Sequence, residues 1–504
     1  MAKIENIVFL SLVLDLFAFT IPLPLFPRII EWYTKRESSD PHGLLSRTLW
    51  AVSTIRGHFY KPSHNSQRWD IVLLGAFILN PSLFYANLQC WEGGLMGSVF
   101  STLQFIVSPY IGSLSDKYGR KKVLLITMIG NILSALVWIK STTFASYMLS
   151  RVIGGLSEGN VQLAIAILSD ITTPANRAKA LSHVGIAFAI CFCIGPPIGA
   201  YFASRPVTML GPTTQLGGTE LNVYAAPAIL TLILLVAETV FLAVALPETR
   251  GKRLLHAQTS EKSDGGAGPS AAVDHRGAPV VVPAEQRIKV LKSLRVLHFL
   301  FLGLFSGVEF TLTFLTFDLF DWSNTQNGKL IGSIGIISAV VQGGYVRRAL
   351  TRVGELKIAR RGTSSCAIGL VALALVPHFT LSRPALAFRL LQGAAVCMAF
   401  TSATVVNALT AHASLQCDDA PEGAAQGGDG KSLKAIQRPE LAKGQALGRF
   451  RSSGQLGRAI GPLLACTSYW TFGPSVTYAI GAVTMAGLSV HMRRVARRTA
   501  LKTA

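Results

Sequence analysis

Charge is scarce in this chain. Only 14% of its 504 residues are Asp, Glu, Lys or Arg, against roughly 25% in a soluble domain. Such a deficit arises when long stretches exclude charge altogether, and it makes the chain a multi-pass membrane protein. No Gly-x-x-x-x-Gly-Lys-Ser/Thr loop occurs, so ATP is not the energy source. There is no His-Glu-x-x-His metal helix and no strand-to-helix nucleophile elbow, so the chain does not read as an enzyme. The seven cysteines lack any paired spacing, which argues against a metal site, a disulfide framework or a bound cofactor. No Asn-x-Ser/Thr acceptor is present, so glycosylation gives no hint of the secretory route. No basic stretch is interleaved with aromatics on a soluble module, which excludes nucleic acid as a partner despite a net charge of +21.

What is present is a series of apolar runs of roughly 17–25 residues, each long enough to cross a bilayer as a helix. Twelve are expected, at 4–26, 93–111, 123–139, 145–168, 181–203, 223–246, 298–320, 328–346, 362–380, 385–410, 446–470 and 473–492. The fold class is therefore an all-α membrane protein. The first run lacks a small-residue cleavage site and reads as a span, not a signal peptide. The polar stretch 247–296 divides the chain into an N-terminal six-helix bundle (1–246) and a C-terminal one (297–504). The first bundle carries a long outer loop at 27–92, and the second a polar, Gly-rich loop at 411–445. Basic residues between spans place both termini and the 247–296 linker on the cytoplasmic side. Residues 76–92 are apolar but broken by Pro81, and read as an extension leading into the second helix.

The halves echo each other. Arg151-Val-Ile-Gly-Gly155 opens one span and Arg389-Leu-Leu-Gln-Gly393 opens another, and a Gly-Pro pair follows in the next span along, at Gly195-Pro196 and Gly461-Pro462. Internal repeats of apolar spans point to a transporter that rocks about a central cleft. Ionisable side chains within spans mark the cleft, because a charge near the middle of a span costs roughly 2.5–3.5 kcal/mol. The candidates are Asp15 and Glu309, which open the two halves at equivalent helices, with Arg151, Glu158 and Arg389. Arg151 and Glu158, seven apart, share a helix face. Each acid could instead hydrogen-bond a neighbouring helix, and each arginine could snorkel from a helix end. Gln104 and Gln342 are further polar candidates, while Glu238, His183 and His298 read as interfacial.

Between the second and third spans runs Gly112-Ser-Leu-Ser-Asp116-Lys-Tyr-Gly119-Arg120-Lys-Lys122. Gly112 permits close helix approach, Asp116 suits a helix N-terminus, and Gly119 supplies a turn with positive φ. The segment resembles the signature loop of the major facilitator superfamily. That resemblance implies two pseudo-symmetric six-helix bundles, with Asp116 and Arg120 in a charge network that stabilises one access state. The second half keeps only Gly343-Gly344-Tyr-Val-Arg347-Arg348, Arg352 and Gly354, with no matching acid.

The segment around Arg151 resembles the fourth-helix motif of the family's drug/proton antiporter branch, whose arginine is linked to proton movement. Gly195-Pro196-Pro197-Ile198-Gly199 resembles the branch's antiporter motif, with Cys191 where the pattern has Gly. Further stretches resemble the tetracycline-transporter-like, organic-anion group of that branch, for example Phe305-Ser-Gly-Val-Glu-Phe-Thr-Leu-Thr. Glu158 departs from it, since a basic residue stands there in that group. The resemblance implies a monomeric, proton-coupled secondary transporter of small amphipathic organic solutes, working by alternating access in the lipid bilayer. The alternatives are an uncoupled facilitator or a transporter-shaped sensor. The plasma membrane and an endolysosomal or vacuolar membrane fit equally.

Overall fold

The computed structural model describes residues 2–22, 81–203, 224–250, 283–322, 324–417 and 439–500. It also describes scattered residues between 25 and 47 and two short strands, Gln215–Leu216 and Thr219–Glu220, which pair antiparallel. The outer loop at 48–80, most of the linker (251–282) and most of the second loop (418–438) lie outside the described residues.

The helices are α1 (Ala2–Thr20), α2 (Pro81–Tyr118), α3 (Arg120–Ile139), α4 (Phe144–Ser157), α5 (Asn160–Ile171), α6 (Pro174–Ala203) and α7 (Ala225–Ala245) in the first half. The second half has α8 (Ala284–Phe320), α9 (Asn324–Val341), α10 (Arg347–Val353), α11 (Glu355–Phe379), α12 (Pro384–Leu415), α13 (Lys443–Phe472) and α14 (Pro474–Ala500). A π-helical turn, Gln342–Val346, joins α9 to α10. With α4–α5 and α9–α10 each counted as one crossing, the helices make twelve spans. Among the described residues nine stretches are long and apolar enough to cross a membrane alone. The other three are α1, α2 and α13, and α13 carries Arg449, Arg451 and Arg458 among polar and small residues.

Two boundaries differ from the sequence expectation. The helix α8 begins at Ala284, not near 298, because Leu291, Leu294 and Leu297 continue its apolar stripe and are all buried. The expected linker is therefore helical over its last turns. Residues 81–92 continue without a break into α2.

Pseudo-twofold symmetry appears in matched seams. In the first half α6 packs on α1, with Gly195 against Thr20 so closely that a Cβ would collide with the threonine hydroxyl. In the second half α13 packs on α8, with Gly461 against the Gly303 carbonyl. Pro196 and Pro197 lie inside α6 and Pro462 inside α13, while Gly199 is buried one turn beyond Gly195. Small residues let backbones approach where lipid offers no hydrophobic drive for association. The helices α3 and α11 start alike, each after a glycine in a region reserved for that residue: Gly119 (φ 106°) and Gly354 (φ 91°).

Candidate functional site

The span α4–α5 is broken in mid-course. Its helix stops at Glu158 and restarts at Asn160, and Gly159 sits tightly against Ile111 and Thr127, where a Cβ would lie 3.0 and 3.1 Å from their methyl groups. Arg151 and Glu158 therefore do not share one continuous helical face. At the break the Asn160 amide donates to Asp15 Oδ1 at 2.6 Å, tying α5 to α1. Thr127 in turn donates to Asn160 Oδ1 at 3.4 Å. Broken spans of this kind are where transporters of this architecture hold their ligands.

Asp15 and Glu158 open onto a cavity of about 170 Å³ between the two halves. Gln104 of α2 lines it too. Phe19, Phe100, Phe188 and Phe192 supply an aromatic wall from the first half. The opposite wall comes from α8, α12 and α13, and includes Asn407, Phe450, Arg451 and Arg458. Arg451 acts electrostatically on both Glu158 and Asp15, across the gap between the bundles. The site thus sets two carboxyl groups of one bundle against a guanidinium of the other.

The remaining candidates lie elsewhere. Arg151 packs its guanidinium 6.0 Å from the Trp138 ring and 5.8 Å from the Tyr147 ring, away from the cavity. Those rings belong to an apolar cluster with Leu25, Ile29 and Tyr33 at the end opposite the signature loop. Arg389 is exposed on the second turn of α12, consistent with snorkelling from a helix end. Gln342 is buried in the π-helical turn, 3.5 Å from Ser338 Oγ, and faces Gly185 of α6 instead of the cavity. Glu309 does not line the cavity, and the charge acting on it is Arg458.

Two residues expected at the interface are interior. His298 is buried on the cavity wall, stacked on Phe450 with ring centroids 4.1 Å apart and with Nδ1 3.2 Å from the Phe450 carbonyl. Glu238 is buried against α1. The sequence reading missed Arg451, although a span holding three arginines was itself a signal. It also missed Asn160, which a polar side chain in an apolar run could have marked.

The signature loop closes one end. Asp116, on the last turn of α2, accepts the backbone N–H groups of Gly444 (2.9 Å) and Gln445 (2.7 Å) at the start of α13. These are donors that a helix N-terminus leaves without partners, and the helix dipole favours the carboxylate there. Gly112 makes the approach possible, because its Cβ would fall on the Gly444 backbone. Arg120 bridges Asp116 (2.8 Å) and Asp170 (2.9 Å). Two further cations join the halves: Lys443 reaches Asp170 at 3.5 Å, and fully buried Arg177 donates to the Ser414 carbonyl at 3.2 Å. Asp170, Lys443 and Arg177 were not legible as partners, because they meet only in the folded molecule.

Glu248, after α7, completes the loop. It accepts the backbone N–H groups of Arg120 (2.9 Å) and Lys121 (3.2 Å), capping α3. Partial burial pushes its carboxyl up, but the N–H donors of Arg250, Arg120, Thr249 and Lys121 outweigh this and hold it below the usual 4.5.

Residues 8–427 match the Major Facilitator Superfamily. The chain is 32% identical over 487 residues to mouse major facilitator superfamily domain-containing protein 10, covering 95% of this chain and 90% of that protein. The crystal structure of the human organic anion transporter MFSD10 (TETRAN) superposes with a TM-score of 0.71 at 27% identity, covering 97% of this chain and 99% of that one. A shorter likeness, 34% over 106 residues, links the chain to the class H tetracycline resistance protein of Pasteurella multocida, covering 21% of this chain and 26% of that protein. With its twelve spans in two pseudo-symmetric bundles, this chain belongs to the major facilitator superfamily of multi-pass membrane transporters.

Proposed function

We propose that the chain is a proton-driven secondary transporter of small amphipathic organic solutes, organic anions first among them. It works by alternating access, and each six-helix bundle moves as one body. The observation that carries this reading is the convergence of Asp15 and Glu158 from one bundle and Arg451 from the other on a single cavity. A guanidinium balanced by carboxylates can release them to an incoming anion, and the freed carboxylates can then take up protons. The aromatic wall suits the apolar part of such a solute. The likeness to a human protein named as an organic anion transporter, and to a tetracycline resistance protein, supports the substrate class.

The latched signature-loop end, with the basic clusters around it, supports a state closed to the cytoplasm and open to the other side, with both termini cytoplasmic. The monomer suffices for this cycle, since one chain supplies both walls of the cavity. An uncoupled facilitator is the second reading. It is favoured by Cys191, which stands where the antiporter pattern has Gly and bonds the Val13 carbonyl at 3.4 Å.

The test is uptake of a labelled organic anion by proteoliposomes under an imposed pH gradient. Uptake that follows the gradient in the wild type, and loses that dependence in Asp15→Asn while exchange persists, supports coupling. Flux indifferent to the gradient makes the protein a facilitator, and binding without flux makes it a sensor.

A further inference from the structure

Small residues on two sides fix the rotation of α13. Toward α2, Gly448 abuts the Ser108 carbonyl, and the Ser452 hydroxyl donates to the Phe105 carbonyl at 2.6 Å. Toward α8, Gly454 meets the His298 ring, Gly457 the Phe299 carbonyl and Gly461 the Gly303 carbonyl. At about 3.6 residues per turn, these two seams bracket one remaining face of the helix. That face carries Leu447, Arg451, Gln455 and Arg458, and all four line the cavity.

The polar members of this face differ from the buried cations of the closed end. Arg120 is held by Asp116 and Asp170, and Arg177 by backbone carbonyls. By contrast, Arg451, Gln455 and Arg458 make no hydrogen bond and no ion pair among the described residues. Each guanidinium presents a rigid fork of N–H donors that matches a carboxylate. Arg451 and Arg458 are seven residues apart, which sets their Cα atoms about 10.5 Å apart along the helix axis. Arg451 is nearer the latched end, and Arg458 stands two turns further out. Two forks with an amide between them therefore form one polar stripe, facing the phenylalanines of the first bundle.

From this stripe we propose that Arg458 is a second anion-binding residue, and that the cavity is built for elongated organic dianions. Such a molecule carries an acidic group at each end, separated by about two helical turns, and an apolar stem between them. One acid pairs with Arg451, displacing the attraction of Asp15 and Glu158, and the other pairs with Arg458. Gln455 stands between the two and can donate to either acid. The stem lies against the rings of Phe19, Phe100, Phe188 and Phe192. Because both seams pin α13, the two forks act as a ruler. A monoanion leaves one guanidinium without a partner, and a short diacid cannot reach both. The inference rests on the organic-anion reading and narrows it.

The experiment uses the full chain in lipid nanodiscs at neutral pH, with binding measured by calorimetric titration. The probes are azelate, a linear nine-carbon dicarboxylate, its monomethyl ester, which has the same length and one charge, and succinate, which has both charges on a short stem. Wild type should bind azelate at least about tenfold more tightly than either of the others. Arg458→Gln should bring azelate and its monoester to equal affinity, and Arg458→Lys should recover most of the preference, which separates a lost charge from a misfolded chain.

Equal binding of azelate and its monoester by the wild type would overturn the inference and leave the organic-anion reading standing. So would a preference that survives in Arg458→Gln. Failure of the organic-anion reading itself shows differently: the wild type would then bind none of the three acids, and the inference would fall with it.

Discussion

Replacing Asp116 by Asn should weaken the closed end without unfolding either bundle. The carboxylate accepts two backbone N–H groups at the start of α13 and pairs with Arg120, and its side chain is only 19% exposed. Hydrogen bonds to a charged group are worth roughly 1.5–3 kcal/mol each, and neutral ones roughly 0.5–1.5. The amide keeps one acceptor, turns an N–H₂ toward the other donor and gives up the charge that favours a helix N-terminus. The net loss to the closed state is about 2 kcal/mol, or roughly thirtyfold in the closed-to-open ratio. Arg120 remains paired with Asp170, so the first bundle stays intact. Spin labels on Lys179→Cys and Lys289→Cys, exposed lysines at this end of the two bundles, read the population of the separated state by pulsed dipolar spectroscopy. A distance distribution identical in wild type and Asp116→Asn would refute the claim that this contact holds the bundles together.

Other outcomes follow from the same geometry. Gly119→Ala and Gly354→Ala both strain a backbone that only glycine adopts readily, at a cost of about 1–3 kcal/mol each. Gly119→Ala should cost more in detergent unfolding, because its Cβ strikes the Glu248 carboxylate while nothing lies near Gly354. Glu248 has its folded value lowered, so its contribution is complete above the unfolded value of 4.5 and is lost as pH falls through the lower one. Glu248→Gln should flatten the acid limb of the stability profile in that window, and an unchanged limb would deny the cap. Gly112→Val should hold α2 away from α13, shown by proteolysis near Gly444 that the wild type resists. Arg451→Gln should lower kcat/KM for an organic anion by at least about tenfold while leaving thermal unfolding of the chain cooperative.

Much of the fold was legible because lipid enforces simple rules. Charge exclusion over a bilayer's thickness set the spans, and Gly-Pro pairs marked the seams at Gly195 and Gly461. Asp15 stood out as a charge in mid-span. The limits have physical causes. The break at Glu158–Gly159 lies inside an apolar run, and only the packing of Gly159 against Ile111 and Thr127 reveals it. Arg151 read as a cleft residue from its depth in a span, its echo at Arg389 and its motif, yet Trp138 and Tyr147 give it an aromatic seat at the far end. Glu238 and His298 looked interfacial from their positions near span ends, but side-chain direction, which sequence position does not encode, turns both inward. Arg451 and Arg177 act between bundles, and no local pattern predicts a partner hundreds of residues away.

The most direct test of a substrate cavity between the bundles is thiol labelling at Ser101, a half-buried residue on the cavity wall. In a background with the native cysteines replaced, Ser101→Cys should react with a membrane-impermeant reagent from the side opposite the signature loop. Transported anion should slow the reaction, and adding Asp116→Asn should admit reagent from the signature-loop side as well. Labelling that is the same with and without the anion, or that enters only from the signature-loop side in the wild type, would contradict the account.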